Sequence, residues 1–273
     1  MIGIRISREL KYSLIILIAL LAFLAAPFLA PVDPLKIDLK ERLLPASGSH
    51  FFGTDHLGRD IFSRLLAGAQ NTVGTSLLIL LLSCAIGLPI GLYCGYKSGI
   101  IDRIFMRMAD AFMAFPDFII AIILTGLIGP GMFNVVMSLV MVKWVGYARL
   151  VRSTILSEKE KEYIMMAKVN GAGDARILFR HLLPHAAGNL LVITTLDIGK
   201  IILLIASLSY IGLGAQPPVP EWGAMLNESK AFFYHTPHLM LYPGFAIMLT
   251  VLLFNLAGDR LRDRLDVRGR GGE

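Results

Sequence analysis

The sequence predicts an all-α integral membrane protein that crosses the bilayer six times. Of its 273 residues, 55 % are hydrophobic and only 17 % are charged, whereas soluble domains carry about 25 % charged residues. The apolar residues are gathered into runs about as long as a membrane span. Because lipid offers no hydrogen-bond partners, each run must satisfy its own backbone as a helix.

The first predicted span, residues 12–32, follows a basic N-terminal segment of residues 1–11. It is as long as a span and lacks a small-residue cleavage site, so we interpret it as an uncleaved helix rather than a signal peptide. The other five spans fall within a core of residues 73–258. The second span begins at about residue 73, and the remaining four cover 108–128, 132–150, 186–213 and 239–257. Pro116 and Asp117 interrupt the third span, 108–128.

Polar segments connect these spans. Residues 33–72 form a predicted external loop, in which Ile61, Phe62, Leu65 and Leu66 can lie along the membrane surface as an interfacial segment. A short basic turn covers 97–107, and a Pro- and Trp-containing loop, predicted external, covers 214–238. The predicted cytoplasmic segments are a polar stretch at 155–184 and a basic tail at 259–273.

Charge distribution sets the orientation. With both termini inside, the inner segments hold 18 Lys and Arg residues and the outer segments 6, which agrees with the positive-inside rule. The net charge of +6 therefore reflects topology, and we expect no nucleic acid partner. Cys84 and Cys94 are ten residues apart on one helix, about 15 Å, too far for a disulfide.

The polar stretch at 155–184 has the pattern of two short helices joined through glycine. Residues 161–169 read as the first helix, and Gly171 to Gly173 break it, because glycine tolerates positive φ. Asp174 is a candidate cap for the second helix. Pro184 is expected to end this unit before the next span begins.

This stretch resembles the cytoplasmic coupling loop of ABC-importer permeases. Ala167, Gly171, Leu183 and Pro184 match the family spacing, whereas Met165 and Met166 replace a Glu and an Ala, and His181 replaces an Ile. The resemblance implies a rigid knob that seats in a groove of an ATPase subunit. An amphipathic linker without a partner is the alternative. The implied coupling residues are Ala167, Gly171, Ala172, Asp174, His181, Leu183 and Pro184.

A second motif precedes the second predicted span. Asp55, Arg59 and Asp60 can form a hydrogen-bonded turn in which glycines allow close backbone approach, either to position the next helix or to bind a ligand. The motif is similar to the FGTD-x-LGRD element of permeases that import dipeptides, oligopeptides and nickel, and agreement extends over about residues 45–267. It implies the second, C-type permease of a pair. The motif residues are Gly53, Thr54, Asp55, Gly58, Arg59 and Asp60.

The candidate residues for substrate contact lie in the fifth predicted span, where Asp197 and Lys200 share a helix face. Asp197 either contacts a cationic cargo in the translocation path or is neutralised by Lys200 in a packed core. Residues 195–199 and 227–230 look like the nickel-importing branch, whereas the segment Gln216-Pro217-Pro218 also occurs in dipeptide permeases. We therefore expect import of nickel or a nickel–chelator complex, with dipeptides or oligopeptides as the alternative.

The same chain shows no enzyme motif. It contains no GxxxxGK[ST], HExxH or GxSxG sequence, so we predict a transport subunit without a cofactor of its own. The histidine pairs at 181/185 and 235/238 lack Cys or carboxylate neighbours, and we predict no metal site there. A channel or a standalone carrier functions without an ATPase, so the resemblance to a coupling loop argues against both classes.

The resemblance implies a set of partners. They are a homologous second permease, two ATPase subunits that use ATP and Mg²⁺, an extracytoplasmic substrate-binding protein that docks on the outer loops, and membrane lipid. The expected location is the cytoplasmic, or inner, membrane of a prokaryote.

Overall fold

The computed structural model describes residues 29–269, with side chains as far as Asp263. The N-terminal segment 1–11 and nearly all of the first predicted span, 12–32, lie outside the described residues. The helices are α1 Ile61–Lys97, α2 Ile100–Met113, α3 Asp117–Ile128, α4 Met132–Glu158, α5 Glu162–Val169, α6 Asp174–Ile177, α7 Leu183–Tyr210, α8 Trp222–Ser229 and α9 His238–Gly269. A π-helix, Leu178–Leu182, joins α6 to α7, and two 3-10 turns cover Leu39–Glu41 and Lys230–Phe232.

Four helices of the described chain are long and apolar enough to cross a membrane. They are α1, α4, the continuous segment Asp174–Tyr210 and α9. The pair α2 and α3 forms a fifth candidate, bent by 93°. The predicted interruption of the third span at Pro116 and Asp117 is confirmed, and it divides this span into two helices. The cause is local: Pro116 has no N–H to continue α2, and its carbonyl instead accepts the first amides of α3, from Ile119 and Ile120.

Several predicted boundaries also need correction. Helix α1 begins at Ile61 rather than near residue 73, because the Asp60 carboxylate accepts the Ser63 amide at 2.8 Å and starts the helix. The predicted interfacial segment is thus the first turns of α1. Helix α2 begins inside the predicted turn 97–107. Helix α4 passes residue 150, and α9 continues to Gly269 through the predicted tail. These predicted ends were wrong because hydropathy indicates where the chain leaves lipid, whereas a helix can continue beyond that point into water.

The described chain divides into two compact units. The motif unit comprises the described residues up to Leu77, together with Ile128–Val135 and Ile198–Ala257. The coupling unit comprises Leu78–Leu127, Val136–Asp197 and the residues from Gly258 onward. The two predicted motifs therefore fall in different units.

In the coupling unit, α1 and α4 approach each other closely along a stripe of small residues. Gly87, Gly91 and Gly95 recur every four residues on α1, so they share one face. A Cβ added at Gly91 would lie 2.5 Å from the Ala148 carbonyl oxygen and 2.6 Å from the Val151 Cβ. Close backbone approach at small residues is a common way for helices to pack in lipid.

Three ion pairs attach the bent pair of helices to α4. Asp102 binds Arg152 through two hydrogen bonds of 2.5 and 2.8 Å. Asp110 pairs with Arg149, and the Asp117 carboxylate lies 2.7 Å from the Lys143 ammonium. The Asp117–Lys143 pair lies within the predicted spans, where a partner of opposite sign lowers the cost of a charge, and the other two pairs lie near or beyond the ends of those spans.

In the motif unit, α8 packs on the start of α1 and on α7. Trp222 is buried and donates its indole N–H to the Leu65 carbonyl at 3.0 Å. A Cβ at Gly223 would lie 2.5 Å from the Ala206 carbonyl oxygen, so only glycine allows this contact with α7. Glu221 caps α8 by accepting the amides of Gly223 and Ala224.

Candidate functional site

The coupling segment, residues 155–184, turns between α5 and α6 through a glycine-terminated helix end. The Gly171 amide bonds to the Lys168 carbonyl and the Ala172 amide to the Ala167 carbonyl, each at 3.0 Å. Together these two backbone hydrogen bonds form a Schellman motif, which requires a residue with left-handed backbone conformation just after the helix. Gly171 occupies that position with φ of +76°. No atom lies within 4 Å of a Cβ built there, so the requirement for glycine is conformational.

The predicted capping role of Asp174 is wrong. Gly173 is the N-cap of α6 and provides no side-chain bond, while Asp174 is the first helical residue. The Asp174 carboxylate instead accepts hydrogen bonds from the Tyr96 hydroxyl and the Lys97 ammonium, both at 2.7 Å. It therefore ties the coupling segment to the end of α1.

The predicted stop at Pro184 is also wrong. The chain continues through Pro184 as the second residue of α7. The π-helix just before it changes the register, with the Leu183 amide bonding to Leu178, five residues back. Since proline lacks an N–H and its ring crowds the preceding turn, one wider turn lets the helix pass without a break.

The coupling segment has a packed interior and an apolar outer face. Ile164, Ile177 and Leu182 are fully buried, in one cluster with Leu92 of α1 and Ile155 of α4. Ala172 and Leu183 pack against the same cluster, whereas Ala167 and His181 are half-buried. The exposed apolar side chains are Met165, Met166, Val169 and Phe179, which are 53 %, 61 %, 82 % and 64 % exposed. Exposed apolar side chains grouped on one segment are typical of a protein contact.

The external motif folds into a buried hydrogen-bonded turn. Asp55 accepts the amides of Leu57 and Arg59 at 2.8 and 3.0 Å and the Arg59 Nε at 2.6 Å. Gly53 and Gly58 take positive φ of +78° and +77°. A Cβ at Gly58 would overlap the Asp38 carbonyl at 1.7 Å. The backbones of Thr54 and Asp60 pair in an isolated antiparallel β-bridge. The Asp60 carboxylate also lies 2.9 Å from Nδ1 of the His50 ring. The turn thus positions the start of α1.

Sequence reasoning missed two members of this network, Arg64 and Glu228. The Glu228 carboxylate accepts from Arg59 Nη2 at 2.5 Å and from Arg64 Nη2 at 3.1 Å. Both arginine side chains are only 1 % exposed. Two carboxylates, Asp55 and Glu228, therefore balance two buried guanidinium groups. The available signal was the presence of Arg64 five residues after Arg59, but the partner of Arg64, Glu228, lies 164 residues away.

Ligand atoms of Asp55, His56 and Glu228 lie within 4.8 Å of one another, beside a cavity of about 10 Å³. A cavity of this size holds about one water molecule. Burial, partly offset by the Asp55 charge, lowers the pKa of His56 below 6.5. Its imidazole is therefore neutral and could bind a metal. Both carboxylates are already ion-paired with arginines, however, so this cluster is better explained as a structural network.

The two predicted path residues lie on α7. Asp197 is half-buried and Lys200 is exposed. Tyr147 of α4 and Cys84 of α1 pack in one apolar cluster with Leu190 of α7. The sequence alone did not relate these three residues, which are far apart in the chain.

Four long apolar helices of the described chain, with the bent pair α2 and α3 as a fifth candidate, indicate a multi-pass membrane protein. Residues 87–271 match the family described as "Binding-protein-dependent transport system inner membrane component". The chain is 42 % identical over 254 residues to the nickel transport system permease protein NikC of Escherichia coli K12, covering 92 % of each chain. It is 44 % identical over 253 residues to the glutathione transport system permease protein GsiD of Pectobacterium atrosepticum, covering 92 % of this chain and 84 % of the relative.

Solved structures share the fold. An inward-facing structure of the MetNI methionine ABC transporter aligns with TM-score 0.55 and 20 % identity, covering 73 % of this chain and 95 % of that one. An amino acid ABC transporter with histidines aligns with TM-score 0.58 and 16 % identity, covering 74 % and 94 %. The chain belongs to the family of binding-protein-dependent inner membrane components, the permeases of ABC importers. It is a multi-pass inner membrane protein of a prokaryote and a transport subunit rather than an enzyme.

Proposed function

We propose that this chain is the second permease of an ATP-driven importer that moves nickel or a nickel chelate into the cytoplasm. The observation that supports coupling to an ATPase is the coupling segment, which has a buried core and exposed apolar side chains. Four apolar side chains are exposed over a fully buried core. Burying them in a groove of a partner protein is more favourable than leaving them exposed to water. Members of this family work with ATPase and substrate-binding partners.

The substrate part rests on two observations. The nickel permease relative aligns over 92 % of both chains, and Asp197 gives the predicted membrane core a carboxylate that can attract a cation. Peptide import is the second candidate, because the glutathione permease relative is equally similar over the part that aligns.

The proposed mechanism assigns a role to each part. This chain and a homologous second permease form the path, and two ATPase subunits bind the coupling segments. A substrate-binding protein delivers cargo to the outer loops, including residues 214–238. Closure of the ATPases on ATP moves the coupling segment around Gly171 as a rigid body, and the path changes the side on which it is open. ATP and Mg²⁺ are used by the partners, and no cofactor is assigned to this chain.

Uptake of radiolabelled nickel by cells expressing the complete importer tests the substrate. Unlabelled dipeptides and glutathione serve as competitors. ATP-dependent nickel uptake that is indifferent to peptides supports the proposal. Accumulation of labelled peptide without nickel uptake overturns the substrate and leaves the coupling mechanism in place.

A further inference from the structure

The outer surface of the coupling segment is apolar at its centre. On α5, Met166 and Val169 are exposed and lie three residues apart, so they share one face of the helix. Ile164, about half a turn from Met166, is buried. In the helical turns that follow α5, Phe179 is exposed two residues after the buried Ile177. Both parts of the segment therefore turn one side to the core and an apolar side outwards.

Basic side chains border this apolar surface. Lys168 lies next to Val169 on α5, and Arg176 and Arg180 are four residues apart on the helical turns that carry Phe179. That spacing places the two arginines on one side of the helix. All three basic side chains are exposed, and none of them forms an ion pair with another described residue. Their positive charge is therefore not compensated within the described part of the chain.

The acidic side chains of the same segment are placed differently. Two of them form ion pairs of 2.7 Å, which are Glu158 with Lys161 and Asp174 with Lys97. Two others, Glu160 and Glu162, are exposed at the start of α5, where the positive end of the helix dipole favours a carboxylate. Unpaired negative charge is thus confined to the start of α5, and the side formed by Arg176 and Arg180 is basic.

Membrane topology alone does not explain this arrangement. The positive-inside rule accounts for basic residues in any cytoplasmic segment, and Arg103 and Arg107 of α2 satisfy it equally well, since they too are exposed and four residues apart. Arg176 and Arg180 differ because they adjoin exposed apolar side chains of the coupling segment. An apolar centre with a polar rim is the usual anatomy of a protein interface.

We propose that the coupling segment fits an ATPase groove with an apolar floor beneath residues 165–169 and carboxylates that face Arg176 and Arg180. The inference rests on the proposed function and adds the chemistry of the partner surface. Arginine and carboxylate pair through two parallel hydrogen bonds. Complementary charges at a rim speed association and disfavour partners of like charge. The surface therefore selects an ATPase with an acidic groove over one whose groove is basic.

Met165 extends the proposal to the floor of the groove. It stands where the family pattern has a Glu, and it is 53 % exposed. A thioether is buried readily in an apolar pocket, whereas a carboxylate buried there without a cation costs free energy. In this chain, the acid of the family pattern is therefore expected to weaken binding of the ATPase.

Charge reversal in the detergent-solubilised importer tests the carboxylates of the groove. Retention of the importer's own ATPase subunits by the tagged permease is measured at about 0.1 M and about 1 M salt, where the screening length falls from about 10 Å to about 3 Å. Arg176→Glu with Arg180→Glu is expected to weaken retention about tenfold at the lower salt concentration and much less at the higher one. Arg103→Glu with Arg107→Glu is the matched control, because it changes the net charge equally at the same helical spacing.

The control double variant is expected to retain the ATPase as wild type does. Equal retention by the two double variants at low salt overturns the inference and leaves the proposed function standing. A loss of retention that occurs only in nanodiscs of anionic lipid, and not in detergent, assigns the two arginines to lipid and also overturns the inference.

Restoring the acid of the family pattern tests the apolar floor. Met165→Glu is expected to lower retention of the ATPase several-fold, and Met165→Gln, of similar length without the charge, to lower it less. Thermal melting of the solubilised permease checks that both variants fold, as expected for an exposed position. A Glu variant that retains the ATPase as well as wild type overturns the apolar floor. A wild-type permease that retains no ATPase overturns the proposed coupling function and the inference together.

Discussion

The buried charge network of the motif unit makes the sharpest stability prediction. Glu228→Gln keeps the shape of the side chain and removes its charge. Arg59 and Arg64, each 1 % exposed, would then share the single carboxylate of Asp55, which lies 2.6 Å from Arg59 Nε and 3.6 Å from Arg64 Nε. Breaking a buried ion pair by removing one partner costs about 3–5 kcal/mol.

Thermal unfolding of the purified importer measures this cost. For a chain of this size, 1 kcal/mol corresponds to about 2–4 °C, so Glu228→Gln is expected to melt roughly 10 °C below wild type. Fluorescence-detected size exclusion after heating follows the loss of folded protein. Lys97→Gln is the matched control, because Lys97 and Asp174 form an exposed pair outside the predicted spans, 55 % and 62 % accessible, and such pairs contribute little to stability. Equal melting of the two variants would show that the network contributes nothing beyond a surface ion pair.

Three further predictions follow from the glycines and from His56. Gly91→Ala is expected to destabilise the coupling unit by about 1–3 kcal/mol through overpacking against α4, whereas Gly74→Ala on the same helix, with no atom within 4 Å of the added Cβ, leaves the melting temperature unchanged or raised. Gly171→Val costs about 1–2 kcal/mol for its left-handed backbone and should lower uptake per ATP hydrolysed. Gly173→Val, at φ of −71°, should retain coupling, and equal coupling in both variants contradicts the Gly171 role. Because burial lowers the pKa of His56, the unfolded chain takes up a proton first as the pH falls. The stability contribution is therefore complete above about pH 6.5 and decreases below it. His56→Gln should flatten the melting temperature between about pH 7.5 and 5.5, and an unaltered acid dependence excludes His56 as its source.

Local patterns account for what the sequence predicted well. Gly171 was expected to take a left-handed backbone because glycine between two helical patterns has that use, and its φ of +76° agrees. The hydrogen-bonded turn of Asp55, Arg59 and Asp60 was expected from residues within six positions of one another. Such features depend on the chemistry of neighbouring residues. The boundary errors arose because hydropathy reports lipid contact, while helix ends depend on caps such as Asp60.

The sequence by itself determined the class of protein, the existence of several long apolar helices and the place of the two-helix coupling segment between α4 and α7. Those properties follow from the lengths of apolar runs and from short-range motifs. Only the tertiary structure decided that Glu228 balances Arg59 and Arg64, that Asp174 binds α1 instead of capping α6, and that Tyr147 and Cys84 pack with Leu190. Each of these depends on which faces of distant helices meet. That choice is made by packing, through contacts such as Gly91 against α4, and a linear pattern does not contain it.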